Sequence, residues 1–131
     1  MDASVAVTWF FEDEITTRTR AILDGLPEGG AVVPCLWHLE VANALIVAAR
    51  RKRFDHQHIP QAVGRLALLP VEAQAAPNAA QLRDILALAT TQSLTMYDAA
   101  YLELARRAQA ALATDDDALQ RAARSIGIDL C

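Results

Sequence analysis

Carboxylates stand in four separate segments of this sequence. Asp2 directly precedes an apolar run, Glu40 lies inside the apolar stretch 35–49, Asp98 opens a third apolar pattern, and three successive aspartates occupy 115–117. An ionised carboxylate among apolar residues needs a hydrogen-bond network, an ion pair or a metal. Carboxylate oxygens are the ligands that Mg²⁺ and Mn²⁺ prefer. The acids are therefore candidate ligands for a hard divalent cation.

A cation of this kind points to phosphoryl chemistry. It lowers the pKa of a bound water, steadies the charge on an attacked phosphate and orients attack in line with the leaving oxygen. The chain has no GxxxxGK[ST] loop, no GxGxxG after a strand and no GxSxG elbow, so the sequence gives no support to the nucleotide-binding and serine-hydrolase classes marked by these motifs.

Helix capping is the competing explanation for the acids at helix starts. It accounts for Asp98 as well as a functional role does. In the triplet, Thr114 or Asp115 would accept hydrogen bonds from free backbone N–H groups, and the next aspartates would favour the helix dipole. Capping needs one or two such residues, whereas three adjacent carboxylates repel one another in a way that a cation relieves.

Short apolar runs alternate with longer amphipathic patterns along the chain. The predicted strands are 31–34, 70–73, 111–114 and 127–130, and turns are predicted at 26–30 and 75–78. The 3.6-residue periodicity predicts helices at 16–26, 37–53, 59–69, 79–91, 97–109 and 117–125. Strands that alternate with helices predict a parallel α/β sheet covered on both faces. Sites in such sheets lie outside the carboxyl ends of the strands, where the acids are expected.

The length and composition of the chain indicate the broad class of protein. The chain has 131 residues, 53% of them hydrophobic, which predicts a single domain over 1–131 with a packed core. We expect a soluble, cytoplasmic protein, because neither a leader nor a membrane span is indicated. Cys35 and Cys131 lie too far apart to form a CxxC site.

The charge pattern leaves two interpretations of the basic residues open. A net charge of −4 argues against binding nucleic acid by bulk electrostatics. Arginines nevertheless cluster at 50–53, 106–107 and 121–124, and the guanidinium fork suits phosphate. These clusters are either solvated helix ends or contacts to a phosphate backbone.

Four stretches of the sequence resemble the PIN-domain ribonucleases, in particular the VapC-type toxins of bacterial toxin–antitoxin modules. They are DASVAVTWFFEDE, VPCLWHLEVANAL, LTMYDAAYLELA and LATDDDALQRAARSIGI, in the order of the family and across nearly the whole chain. The resemblance implies a three-layer α/β/α fold with a short parallel central sheet.

The resemblance also implies a site. The family's TxDxxL pattern falls on Thr114, Asp116 and Leu119, which makes Asp116 the fourth acid after Asp2, Glu40 and Asp98. Asp2, Asp98 and Asp116 would hold Mg²⁺ or Mn²⁺ directly or through water, while Glu40 would complete the cluster and orient or deprotonate the attacking water. Asp115 and Asp117 would flank the site as cap and solvated charge, and three polar residues would support the acids: Ser4, Asn43 and Thr114.

The implied function is a metal-dependent endoribonuclease with an RNA substrate, a cognate VapB-type antitoxin and a homodimeric state. One departure concerns the short apolar strand that family members carry before the first aspartate, since only Met1 precedes Asp2 here. A first acid without that strand is expected to sit on a fraying terminus. Two alternatives remain open: an impaired PIN-like interaction module, and another Mg²⁺-dependent phosphohydrolase acting on DNA or small phosphate esters.

Overall fold

The computed structural model describes residues Met1–Cys131 and contains seven α-helices and a short parallel sheet. No helix combines the length and apolar composition needed to span a membrane. The strands are β1 (Ala31–Val33) and β2 (Val71–Ala73), and a 3₁₀ turn occupies His56–His58. The helices are α1 (Ala3–Thr8), α2 (Thr17–Gly29), α3 (Trp37–Arg50), α4 (Ile59–Leu66), α5 (Ala79–Gln92), α6 (Met96–Ala108) and α7 (Asp117–Ser125).

The sheet is built from very short extended segments. Strands β1 and β2 pair in parallel with Val32 opposite Glu72, and Leu112 forms a parallel bridge with Leu130. The chain terminus lies between these two pairs, because the Met1 amino group donates to the Val32 carbonyl (3.1 Å) and the Asp2 N–H donates to the Ala113 carbonyl (2.8 Å). The predicted α/β/α arrangement around a short parallel sheet is confirmed.

The predicted strands differ in how fully they form. Those at 31–34 and 70–73 are present, whereas those at 111–114 and 127–130 are reduced to the single bridge between Leu112 and Leu130. Leu112 exchanges both of its backbone hydrogen bonds with Asp129 and Cys131. No further backbone hydrogen bond joins 111–114 to 127–131, so this edge of the sheet is a single bridge.

Several predicted boundaries are wrong. Helix α2 continues through Pro27 to Gly29, so the predicted turn at 26–30 is instead the end of a helix. The helix stops at Gly30, whose φ of 62° favours glycine. Helix α3 ends at Arg50 rather than 53, because Lys52 has a left-handed φ of 59°. Helix α4 likewise ends three residues earlier than predicted, and the short helix α1 is absent from the prediction.

The core draws on helices from both halves of the chain. Its main cluster contains 17 buried residues between positions 3 and 123, and the largest fully buried side chains are Trp37 and Tyr101. Helix α5 packs against α6, and α1 packs against α3. This packing fixes the amino ends of α1, α3 and α6 relative to the sheet, and those ends carry Asp2, Glu40 and Asp98.

Candidate active site

Asp2 is the most firmly held of the four acids. Its side chain is buried, and its Oδ2 accepts hydrogen bonds from the Ser4 hydroxyl (2.5 Å) and the Thr114 hydroxyl (2.7 Å). Asp2 stands at the amino end of α1 but does not cap that helix with its side chain. The expectation of a fraying terminus is therefore wrong, because Asp2 is fixed through both its backbone and its carboxylate.

Thr114 joins the first acid to the fourth. The side chain is fully buried, and while its hydroxyl donates to Asp2 it accepts from the Asp116 N–H at 3.1 Å. The Asp115 N–H donates to the Ser4 hydroxyl at 3.0 Å, which closes a second link between the same two segments. The loop after Leu112 is thus held against the amino end of α1.

The three successive aspartates have three different environments. Asp116 caps α7, since its Oδ1 accepts from the Leu119 N–H at 2.7 Å, so the prediction that Thr114 or Asp115 is the cap is wrong. Asp115 instead pairs with Arg18 at 2.5 Å. Asp117 is exposed in the first turn of the helix, where its charge favours the dipole.

Glu40 has a partner that the sequence analysis missed. The hydroxyl of Tyr101, which is 2% exposed, donates a hydrogen bond to Glu40 Oε2. Burial raises the pKa of Tyr101, and the neighbouring carboxylates raise it further, so the phenol stays protonated as a donor. The spacing of Asp98 and Tyr101, three residues apart on one face of α6, was the available signal.

The electrostatics of Glu40 reflect its neighbours. Burial raises the pKa of Glu40, the hydrogen bond from Tyr101 lowers it, and the charges of Asp2 and Asp98 raise it again. Asp2 and Asp98 are therefore close enough to Glu40 to act on its charge. This places the first three acids in one electrostatic cluster.

Asp98 lies in the first turn of α6, where Thr95 is the cap. The Thr95 hydroxyl accepts from the Asp98 N–H (3.1 Å) and donates to Asp98 Oδ2 (2.7 Å). Capping therefore accounts for the position of Asp98 and for one of its oxygens. Asn43, expected to support the acids, is exposed and makes no side-chain hydrogen bond.

The four acids share one pattern. In each, one carboxylate oxygen accepts a hydrogen bond while the other makes none, and none lies within 4.0 Å of a basic side chain. No three acidic, histidine or cysteine side chains converge closely enough to bind an ion by themselves. Carboxylate oxygens without a basic partner are donors of the type that hard divalent cations prefer, since such an ion can be bound by few carboxylates and keep several waters.

The basic cluster at 50–53 lies apart from the acids. Arg53 pairs with Asp13 (3.0 Å) and Glu14 (2.6 Å), and it lies 5.1 Å from the centre of the Phe11 ring. Arg50 is exposed at the far end of α3, about 15 Å along the helix axis from Glu40. The backbone of Arg50 is therefore well separated from that of Glu40 along α3.

The comparison with known families agrees with this geometry. The family model of the PIN domain matches residues 1–125. The chain therefore belongs to the PIN domain family, whose members are typically metal-dependent nucleases, and membership supports a nuclease at the family level. A search of curated proteins finds no significant match.

Proposed function

We propose that the protein is a metal-dependent endoribonuclease of the VapC toxin type. Asp2, Asp98 and Asp116 hold Mg²⁺ or Mn²⁺, directly or through water, and Glu40 completes the cluster. The observation that carries this proposal is the shared pattern of the four acids: in each, hydrogen bonding orients one carboxylate oxygen, the second oxygen is available, and no basic side chain is paired with it. Such a set is costly to keep together unless a cation neutralises it.

Glu40 is the acid best suited to handle a proton. Its raised pKa brings it closer to neutral pH than an ordinary glutamate, which favours its acting as a general base toward the attacking water. Tyr101 fixes one Glu40 oxygen and leaves the other to face that water. The bound ion supplies charge stabilisation at the attacked phosphate.

The negative charges of the four acids also affect how a substrate binds. RNA brings negative phosphates to a cluster of acids without basic partners, so productive binding depends on the cation. Arg50 and Arg51 are exposed and form no ion pair, and a longer RNA that extends beyond the site along α3 would reach them. Their contribution is electrostatic and falls with rising salt.

A protein partner that covers the site is part of the proposal. Leu39 is 74% exposed next to Glu40, and Tyr97 is 64% exposed next to Asp98. Apolar side chains that flank acids suit an antitoxin segment with both apolar and basic groups. Leu82 and Leu86 form a separate exposed pair on α5, which we assign to the homodimer contact.

The test is cleavage of a pool of structured RNAs by the purified protein with Mn²⁺, with Mg²⁺ and with EDTA. The matched pair of variants is Asp98→Asn at the site and Asp24→Asn on the exposed surface of α2. Metal-dependent cleavage should be lost in Asp98→Asn and kept in Asp24→Asn. Circular dichroism melts check that both variants are folded.

Two results would contradict the proposal. A folded protein that binds the metal but cuts no RNA in the pool would favour an interaction module. Cleavage of single-stranded DNA or of a small phosphodiester in place of RNA would assign the same site to another phosphohydrolase.

A further inference from the structure

A small pocket with aromatic walls lies between the end of α1 and helix α4, and we call it the aromatic pocket. Its volume is about 380 Å³, and Trp9, Phe10 and Phe54 line it. Four polar side chains also line it: Glu12, His58, Gln61 and Arg65. Pockets that hold small ligands usually enclose about 300–1,000 Å³. The size of the aromatic pocket therefore suits one planar ring with its substituents rather than a helix of a protein partner.

The aromatic walls are held by contacts that lie outside the pocket. Trp9 Nε1 donates to the Thr19 carbonyl at 2.9 Å, which ties the indole to α2. The Phe54 ring meets the buried Phe11 ring edge-on, with the ring centres 5.8 Å apart. Trp9, Phe10 and Phe54 are themselves only partly buried. Because these rings are already held in place, a flat ligand can stack on them with little further loss of conformational freedom.

The polar side chains offer partners for the rest of a nucleotide. His58, Gln61 and Arg65 are three and four residues apart, so they lie on one face of the segment that forms α4. Arg65 is exposed and forms no ion pair, which leaves its guanidinium available to a phosphate. The Glu12 carboxylate accepts from N–H groups, and the Gln61 amide both donates and accepts. These are the groups that read the edge of an unpaired base.

The aromatic pocket and the acids lie at opposite ends of one pair of packed helices. Helices α1 and α3 pack against each other, and their amino ends carry Asp2 and Glu40. Trp9 directly follows α1, about 10 Å along the helix axis from Asp2. Phe54 comes four residues after the end of α3. An extended single strand held at the acids can therefore place a base at the pocket a few nucleotides away.

We propose that the aromatic pocket takes one unpaired nucleobase of the RNA, a few nucleotides from the phosphate held at the acids. The base stacks on the aromatic walls, Arg65 binds a phosphate beside it, and Glu12 and Gln61 contact the edge of the base. The inference rests on the proposed function for RNA as the substrate. It adds that the substrate is single-stranded at this position, because a paired base cannot enter the pocket.

Trp9 makes binding at the pocket measurable, since the second tryptophan of the chain, Trp37, is fully buried. Tryptophan fluorescence is followed while a single-stranded RNA hexamer is added in EDTA, so that neither metal nor cleavage takes part. The hexamer should quench the emission, whereas a ribose–phosphate chain of the same length without bases should not. A free nucleoside monophosphate should need at least about tenfold more ligand, because it lacks the flanking phosphates that exposed arginines attract. In Trp9→Phe the hexamer should leave the remaining emission unchanged.

Two variants separate stacking from phosphate binding. Phe54→Leu removes a ring and keeps an apolar side chain, and it should weaken hexamer binding by about 5- to 150-fold, as expected for one stacked base. Arg65→Gln should reduce the slope of log affinity against log salt by about one, the effect of one phosphate contact. Arg83→Gln, which changes an exposed arginine of α5 outside the pocket, is the matched control and should keep both affinity and slope. Thermal melts check that the variants are folded.

An emission that the hexamer leaves unchanged would overturn the proposal, and so would equal quenching by the chain without bases. Equal affinity and salt dependence in Arg65→Gln and Arg83→Gln would also overturn it. Quenching by an amphipathic leucine–arginine peptide but not by the hexamer would assign the pocket to a protein partner. A protein that binds the hexamer as expected but cuts no RNA would support the base pocket and contradict the proposed nuclease, so the two failures are distinguishable.

Discussion

The four acids form two pairs that are held in different ways. Each acid of the inner pair, Asp2 and Glu40, accepts a hydrogen bond from a residue far away in the sequence: Thr114 is 112 residues from Asp2, which also accepts from nearby Ser4, and Tyr101 is 61 residues from Glu40. The outer pair, Asp98 and Asp116, is held by groups only three residues away, in the first turns of α6 and α7. The outer acids are placed once their helices form, whereas the inner acids are placed only once the whole fold forms.

Because of this difference, the effect of an acid's charge on the site can be tested separately from the effect of its partners on stability. Removing the charge of an outer acid should affect the site and leave its helix intact. Removing a partner of an inner acid should affect the site and the stability together, because that partner is itself buried. Variants of the outer acids should therefore change activity alone, and variants of the partners of the inner acids should change activity and stability together.

The largest effect is expected for Asp116→Asn. Asparagine caps a helix as well as aspartate does, so α7 should keep its stability while the site loses one charge. We expect cleavage to fall by at least about 100-fold, the loss typical of removing one electrostatic group from an active site. Kinetics and thermal melts measure the two quantities, with Asp117→Asn as the control. A melting temperature that falls along with activity would make Asp116 a structural cap alone.

Thr114→Val should break the inner pair. The variant removes the hydroxyl that donates to Asp2 and accepts from the Asp116 N–H. Cleavage should fall by about 10- to 100-fold, as it does when residues that orient metal ligands are removed. Unfolding in urea should show a loss of about 1–3 kcal/mol, since buried polar groups lose their partner. Thr90→Val, which removes a hydroxyl bonded only within α5, should change neither quantity appreciably.

Tyr101→Phe should hold Glu40 less firmly, and its effect on cleavage should be smaller than that of Thr114→Val. Removing the hydroxyl that orients this carboxylate should lower cleavage about tenfold. The hydrogen bond lowers the pKa of Glu40, so its loss should move the acid limb of the pH–rate profile to higher pH. Tyr97→Phe, on the exposed side of α6, is the control. An unchanged acid limb would mean that Glu40 does not set it.

The smallest effect concerns stability alone and is expected for Glu40→Gln. The pKa of Glu40 in the folded protein lies above its usual 4.5, so folding favours its protonated form. Its ionisation therefore destabilises the folded state as pH rises through 4.5 and beyond. At about pH 7 the glutamine variant should be more stable by up to about 1 kcal/mol, and at about pH 3 the difference should vanish. Urea unfolding at both values checks this, and equal stability at neutral pH would contradict it.

The two pairs also mark how much of the site the sequence predicted. Asp98 and Asp116 follow local rules of helix starts, so their positions could be inferred from neighbouring residues. The contact of Tyr101 with Glu40 depends on how α3 and α6 lie against each other, which periodicity does not specify. The cap was assigned to Thr114 or Asp115 because both satisfy the same local rule as Asp116.

Prediction of the fold has the same limit, because local patterns are visible in the sequence and tertiary packing is not. The alternation of apolar runs predicted β1, β2 and six of the seven helices, since burial of one face gives a periodic signal. Pro27 suggested a turn that tertiary packing overrides, because Leu26 is buried within α2.

Mn²⁺ binding, measured by electron paramagnetic resonance as the ion is titrated into the protein, tests the metal site most directly. The unmodified chain, Asp98→Asn and Asp116→Asn are compared with Asp117→Asn, an exposed neighbour of the site. The unmodified chain and Asp117→Asn should bind the ion with similar affinity, and the other two variants should bind it much more weakly. Equal binding by all four proteins would contradict the claim that these acids form one metal site.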